Sequence, residues 1–356
     1  MTVAFALSGG GNLGPMQAGA VVALLEAGIT PDLLVGTSVG ALNAAYLSSR
    51  PGLSGAQSLV HAWTTLRRHE VASFSPIDLL AGFFGVRDHL LAAHRLRALI
   101  RKWVEIEVLE DAKTTVVVVA TDALSGEAVV LQRGDVLEAI SASAAIPGLL
   151  PSVRMGNRWL IDGSLSAGCP VLQAQDLGAD DVYMITTATA PRVRPPRGAV
   201  AMAMNSVSLV TARSNQAQLA AARLHASQRG GRVFVVPSGE PSAPGPFDLS
   251  RSMLLTEASY DATRLWLASA DGDLEPLDES FNAGSRPQST LTSETPLRSR
   301  PALGAHRVDA SQPPLAHLET PECATMSRRA VPGAGRWPQY LRREVHGDGR
   351  ARGSPS

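Results

Sequence analysis

A serine set between two glycines, Gly36-Thr37-Ser38-Val39-Gly40, separates a short apolar run from a stretch of small residues. In that setting G-x-S-x-G turns a strand sharply into a helix and projects the serine hydroxyl outward, beside the first amides of the helix. The chemistry it suits is nucleophilic attack on an acyl carbon. The same pattern also serves as a plain strand-to-helix turn with a capping serine. A second cluster, Gly9-Gly10-Gly11-Asn12-Leu13-Gly14, follows the first apolar run. Glycines there bare backbone N–H groups and let an anion or another backbone come close. Three uses fit this cluster: an oxyanion hole, a dinucleotide loop read from Gly9, Gly11 and Gly14, and a structural turn. The dinucleotide use calls for an acidic residue about 20 positions on, after a second strand. Glu26 falls inside the first helical pattern, and Asp32 precedes the second strand. Ser38 stands where that strand ends. No G-K-[ST] follows the glycines, which excludes a phosphate P-loop.

A serine nucleophile needs a proton acceptor. The one histidine between Asp162 and the C-terminal tail is His225, in Ala221-Ala222-Arg223-Leu224-His225, and it reads as a helix-surface residue. Asp162 is the better acceptor. It ends the run Trp159-Leu160-Ile161 and precedes Gly163. A carboxylate within hydrogen-bond reach can take the serine proton directly. An ordinary Asp-Gly turn is the plain alternative.

The elements that must position these residues alternate. Apolar strands are expected at residues 3–7, 33–36, 115–121, 128–131, 159–161, 182–187 and 233–236. Helical patterns are expected at 15–27, 39–47, 58–67, 95–105, 135–145, 200–228 and 251–268. Strands separated by helical lengths imply β-α-β units and a mostly parallel sheet. Adjacent parallel strands 3–7 and 33–36 would bring the glycine loop and Ser38 to one sheet edge. Past residue 271 the composition shifts to Pro, Ser, Arg and Gly without a sustained apolar period. We therefore expect a domain over 1–271, its motif-bearing core at 3–187, and a disordered tail over 272–356.

Composition narrows the function. The 356 residues carry 32 Lys plus Arg and 32 Asp plus Glu, a formal net charge of zero, which gives nucleic acid no electrostatic case as a partner. Two cysteines, Cys169 and Cys323, support neither a disulfide framework nor a Cys-based zinc site. The reading calls for no cofactor and no metal. No run of about 20 residues is apolar enough to span a bilayer, and the N-terminus lacks a basic, signal-like opening. The expectation is a cytoplasmic protein with peripheral membrane contact. Phe74, Phe83 and Phe84 form an aromatic-rich stretch that suits either a lipid-facing flap or an ordinary loop. Arg192, Arg194 and Arg197 suit either anionic lipid or a solvated linker.

Taken together, the motifs resemble the patatin-like phospholipase family. The resemblance rests on Ser8-Gly9-Gly10-Gly11, on Gly36 to Ala44, on Ala120-Thr121-Asp122 with Gly126, on Ser141 to Gly148, and on Leu160-Ile161-Asp162-Gly163, in matching order and spacing. It implies a three-layer α/β/α fold and a lipid acyl hydrolase acting on fatty-acyl esters through a Ser–Asp dyad. The family's nucleophile falls on Ser38 and its base on Asp162. Its oxyanion loop falls on Gly9, Gly10, Gly11 and Gly14, its elbow glycines on Gly36 and Gly40, and its base-motif turn on Gly163. Three positions depart from the pattern. Leu13 stands where Arg or Lys is common, Ser164 where Gly or Ala is usual, and Cys169 where Asn is common. A non-catalytic lipid-binding protein retaining the fold is the competing reading.

Overall fold

Alternation along the strands builds two buried faces on one sheet. In β1 (Val3–Leu7), Phe5 and Leu7 join one core while Ala4 and Ala6 join the other. β3 (Thr115–Asp122) divides the same way, with Val116 and Val118 on the first face and Val117 and Val119 on the second. Successive side chains of a strand point to opposite faces, so a strand with no polar face must be covered on both sides. The helices Gly14–Glu26, Val39–Ser49, Leu53–Thr65 and Ser252–Ser269 cover the first face. The helices Val171–Asp176 and Ala199–Arg229 cover the second, through Val171, Ala174, Ala222 and Ala226. The result is the expected three-layer α/β/α arrangement.

The computed structural model describes residues 1–71, 89, 91, 93–188, 197–239, 241 and 248–269. These belong to the compact unit that holds Met1–Asp278. The aromatic stretch with Phe74, Phe83 and Phe84, the arginines Arg192 and Arg194, and the tail 272–356 lie outside the described residues. The remaining strands are β2 (Leu33–Thr37), β4 (Ala128–Leu131), β5 (Val153–Met155), β6 (Arg158–Ile161), β7 (Asp181–Ile185) and β8 (Arg232–Val236). They form one eight-stranded sheet in the order β5-β6-β3-β2-β1-β7-β8, with β4 also paired to β3. β3, β2, β1, β7 and β8 are mutually parallel. β4, β6 and β5 run antiparallel at the β3 side.

That antiparallel hairpin differs from a simple β-α-β succession, and it sets the site. β1 and β2 are in register Leu7 to Gly36, so both chains leave the sheet at the same edge. β2 and β3 are in register through Thr37 and Val119. β6 runs back along β3 with Ile161 opposite Thr121, so Asp162 arrives level with the end of β2. Some elements also differ from expectation. The helix Leu53–Thr65 begins well before residue 58, and its Gly55 packs on the Arg50 carbonyl, where any side chain would clash. β5 and the helix Val171–Asp176 were not foreseen.

The helices Gly14–Glu26 and Ser252–Ser269 approach through a glycine. A Cβ on Gly19 would overlap the Thr256 carbonyl oxygen. Nearby, the Tyr260 hydroxyl donates to Glu26 Oε2 at 2.7 Å. Overpacking a tight contact of this kind costs about 1–3 kcal/mol. Gly19→Val should therefore lower stability by about that amount in urea unfolding; an unchanged midpoint would show that the two helices do not meet at this residue.

Candidate active site

Ser38 sits between the last residue of β2 and the first of the helix Val39–Ser49, with φ 55° and ψ −122°. It is the one non-glycine at positive φ among the described residues. Such a conformation costs about 1–3 kcal/mol and persists only where the surroundings enforce it. The enforcement is visible. The Ser38 N–H donates to Ser143 Oγ at 2.8 Å, and Ser143 Oγ donates in turn to the Val119 carbonyl at 2.5 Å. A Cβ on Gly36 would collide with the Gly40 carbonyl, and one on Gly40 with the Leu7 carbonyl. Both glycines of G-x-S-x-G are therefore demanded by close backbone approach.

Asp162 meets Ser38 at this edge. Ser38 Oγ donates to Asp162 Oδ2 at 2.7 Å. The other carboxylate oxygen, Oδ1, accepts the Ser164 N–H at 2.8 Å. The backbone of Asp162 is fixed at both ends: its N–H donates to the Ala145 carbonyl at 2.9 Å, and its carbonyl accepts from Thr121 Oγ1 at 2.9 Å. Gly163 donates to the Ser143 carbonyl and lies so close to the Val119 carbonyl that a side chain would clash. Ser38 is 5% exposed and Asp162 4%. Burial pushes the Asp162 carboxyl above its ordinary range, and hydrogen bonds from Ser164 and Ser38 pull against that shift. A basic, dry carboxylate bonded to a serine hydroxyl can draw off its proton.

The glycine loop lies against this pair. A Cβ on Gly9 would stand 3.5 Å from Ser38 Cβ and would overlap Ser164 Oγ. The four loop glycines do different things. The Gly9 N–H is engaged by the Gly168 carbonyl at 2.9 Å, and the Gly9 carbonyl accepts from Thr187 Oγ1 at 2.7 Å. Gly10 packs on Thr187 and Gly14 on Trp63, each without room for a side chain. Gly11, at φ 58°, has open space where a Cβ would go. The amides of Gly10 and Gly11 make no backbone hydrogen bond among those described, and Val39 is the first amide of its helix.

Several positioning residues carried no assigned role in the sequence. Gln17 Nε2 donates to the Ser8 carbonyl at 2.7 Å, and Asn43 Nδ2 to Gln17 Oε1 at 2.8 Å. Trp63 Nε1 donates to Asn43 Oδ1 at 2.9 Å. This buried chain ties the glycine loop to three helices. Ser143 and Thr121 fall within the motifs Ser141–Gly148 and Ala120-Thr121-Asp122, yet nothing in a single sequence singles out their hydroxyls. His225 faces Gln175 Oε1 at 3.2 Å. Asp122 accepts the Leu124 N–H at 2.9 Å, and its carbonyl accepts the Gly126 N–H, closing the turn between them. Ser164 fits the turn and bonds Asp162; Cys169 is buried. Among the described residues no three His, Cys, Asp or Glu gather as metal ligands, and no helix is long and apolar enough to cross a membrane.

The chain is similar to known proteins over part of its length. A family model described as patatin-like phospholipase matches residues 5–174. An uncharacterized NTE family protein of Mycobacterium tuberculosis is 29% identical over 164 residues, 46% of this chain and 26% of its own. Another, from Mycobacterium bovis, is 29% identical over 180 residues, 50% of this chain and 47% of its own. The matched segment thus spans between a quarter and a half of these relatives. The crystal structure of VipD from Legionella pneumophila aligns with a TM-score of 0.40 and 16% identity, covering 75% of this chain and 67% of that one. From the glycine loop past Asp162, just under half of its length, the chain is similar to the patatin-like phospholipase family.

Proposed function

We propose that this protein is a serine acyl hydrolase that cleaves carboxylic esters of lipids with Ser38 as nucleophile and Asp162 as its base. The observation that carries this reading is the 2.7 Å hydrogen bond from Ser38 Oγ to a buried carboxylate whose basicity burial raises. Ser38 Oγ attacks the ester carbonyl carbon while its proton passes to Asp162 Oδ2. The carbonyl oxygen, now an anion, is met by the N–H groups of Gly10, Gly11 and Val39 at the head of the helix Val39–Ser49. Gly9 acts differently from Gly10 and Gly11: its N–H is already spent on Gly168, so it seats the loop instead of donating to the anion, and Gly14 packs on Trp63 at the start of its helix. Collapse of the tetrahedral species breaks the C–O bond, and the leaving alkoxide takes the proton from Asp162. A water then attacks the acyl-serine, gives its proton to Asp162, and releases the acid as Ser38 regains the proton.

The hydrolase is assigned to residues 1–271, with lipid-surface contact as part of the same proposal. A non-catalytic lipid-binding role is disfavoured because it would have no use for a strained serine bonded to a buried carboxylate. Each of these is costly to the fold unless it serves a reaction.

Two measurements test the reading. The first is kcat/KM on p-nitrophenyl butyrate. Ser38→Ala should fall to background, and Asp162→Asn should lose about 10²-fold or more, the usual contribution of a general base. His225→Ala should retain most activity. A large loss in His225→Ala with a small one in Asp162→Asn would restore a triad. The acidic limb of the pH profile should lie above pH 3.8, the ordinary carboxyl value, because the base must be ionised and burial raises its pKa.

The second is stability against pH. A carboxyl whose folded pKa is raised binds its proton more tightly when folded, so it stabilises the fold at low pH and loses that contribution as pH rises through the folded pKa. At neutral pH the buried Asp162 carboxylate therefore costs stability. Asp162→Asn should raise the melting temperature at pH 7 and lose that advantage below about pH 3.8. A variant less stable than wild type at pH 7 would show that Asp162 is held for structure.

A further inference from the structure

We propose that the first half of the helix Ala199–Arg229 is the face by which this domain seats on an anionic lipid surface, an inference that rests on the lipid-ester reading of Ser38. This helix connects the parallel strands β7 and β8, and its cap Gly230 leads into the start of β8. It therefore runs opposite to the strands, with its N-terminus toward the sheet edge from which Ser8 and Ser38 emerge. A ladder of contacts follows that course. Gln175 Nε2 donates to the Ala222 carbonyl at 2.9 Å, and Gln218 Nε2 to the Ser166 carbonyl at 2.5 Å. Thr211 and Asn215 then pack beside Gly168, whose carbonyl accepts the Gly9 N–H. Residue 211 is thus level with the glycine loop. The 12 residues before it extend the helix about 18 Å further, at 1.5 Å per residue.

Residues 206–210 of that extension are all exposed. Leu209 is 62% exposed and Val210 70%, and Met202 and Val207 are exposed as well. Met202, Leu209 and Val210 fall on one face at helical spacing, turned away from the face that carries Ala222 and Ala226 to the core. Exposed Arg197 and Arg213 flank them. The sequence between residues 191 and 229 holds six arginines and no Asp or Glu, in a chain whose net charge is zero. Apolar residues bounded by arginine, without acid, match the interface of an anionic bilayer: the side chains enter the acyl boundary and the guanidinium groups meet the headgroups. Charge argues against a second copy of this chain as the occupant. A symmetric pair would set basic face against basic face.

The test is flotation of the full-length protein with large vesicles of phosphatidylcholine and phosphatidylglycerol, compared with phosphatidylcholine alone. Binding should favour the anionic vesicles by about tenfold or more and should weaken in high salt. The double variants L209S/V210S and R197E/R213E should each bind anionic vesicles about tenfold more weakly. Their melting temperatures and their turnover of soluble p-nitrophenyl butyrate should match wild type, since none of these residues touches Ser38 or Asp162. Equal binding to both vesicle types, or full binding by either variant, would overturn the proposal. So would a free wild-type protein that elutes as a dimer and becomes a monomer on L209S/V210S substitution. Loss of ester turnover in wild type with vesicle binding intact would instead overturn the hydrolase reading and leave this surface standing.

Discussion

Ser38 holds a positive φ inside a set of contacts that fix its backbone and its hydroxyl. Its N–H has one acceptor, the Ser143 hydroxyl, and that hydroxyl is itself committed to the Val119 carbonyl on β3. Behind the turn, Gly36 and Gly40 allow the elbow helix to press onto the ends of β1 and β2. Release any one of these contacts and the serine would relax toward ordinary backbone angles, carrying its hydroxyl away from Asp162. The residues 143–145 act on both partners at once: Ser143 and Ala145 accept from Gly163 and Asp162, while the Ser143 hydroxyl receives Ser38. Much of the sheet's C-terminal edge therefore exists to fix one hydroxyl against one carboxylate.

The second constraint is electrostatic. Asp162 is taken out of water with no cationic partner among the described residues, and hydrogen bonds from Ser38 and Ser164 offset the cost. A salt bridge would have been kinder to stability but would have lowered the basicity of the carboxylate. On the proposed reading this is a trade of stability for reactivity, of the kind common where a fold serves chemistry. The protein recovers stability elsewhere, in an apolar sheet covered on both faces and in the clamp between Tyr260 and Glu26.

The sequence exposed some of this and concealed the rest for physical reasons. β1, β2, β3, β7 and β8 centre on short apolar runs rich in β-branched and aromatic residues, and their lengths mark them as strands. The G-x-S-x-G turn and Asp162-Gly163 were legible because glycine is costly where it is not needed. Less legible was the route by which Asp162 reaches Ser38. β6 is antiparallel to β3, and β5 is only three residues long, so neither carries the apolar length of a parallel strand. Its Gly156-Asn157 turn was the available signal. Hidden altogether were the contacts of Gln17, Asn43, Trp63 and Thr121, which depend on residues far apart in the chain meeting in the core. The split among the loop glycines was hidden too: only the Gly168 carbonyl reveals that Gly9 has no N–H to offer.

The central claim, that Asp162 activates Ser38 as a nucleophile, is tested most directly by covalent labelling with a fluorophosphonate and mapping of the modified peptide by mass spectrometry. Only an activated serine reacts quickly with such a probe. The account predicts one adduct, on Ser38, absent in Ser38→Ala and formed about 10²-fold more slowly in Asp162→Asn. Labelling at another serine, or an undiminished rate in Asp162→Asn, would contradict it.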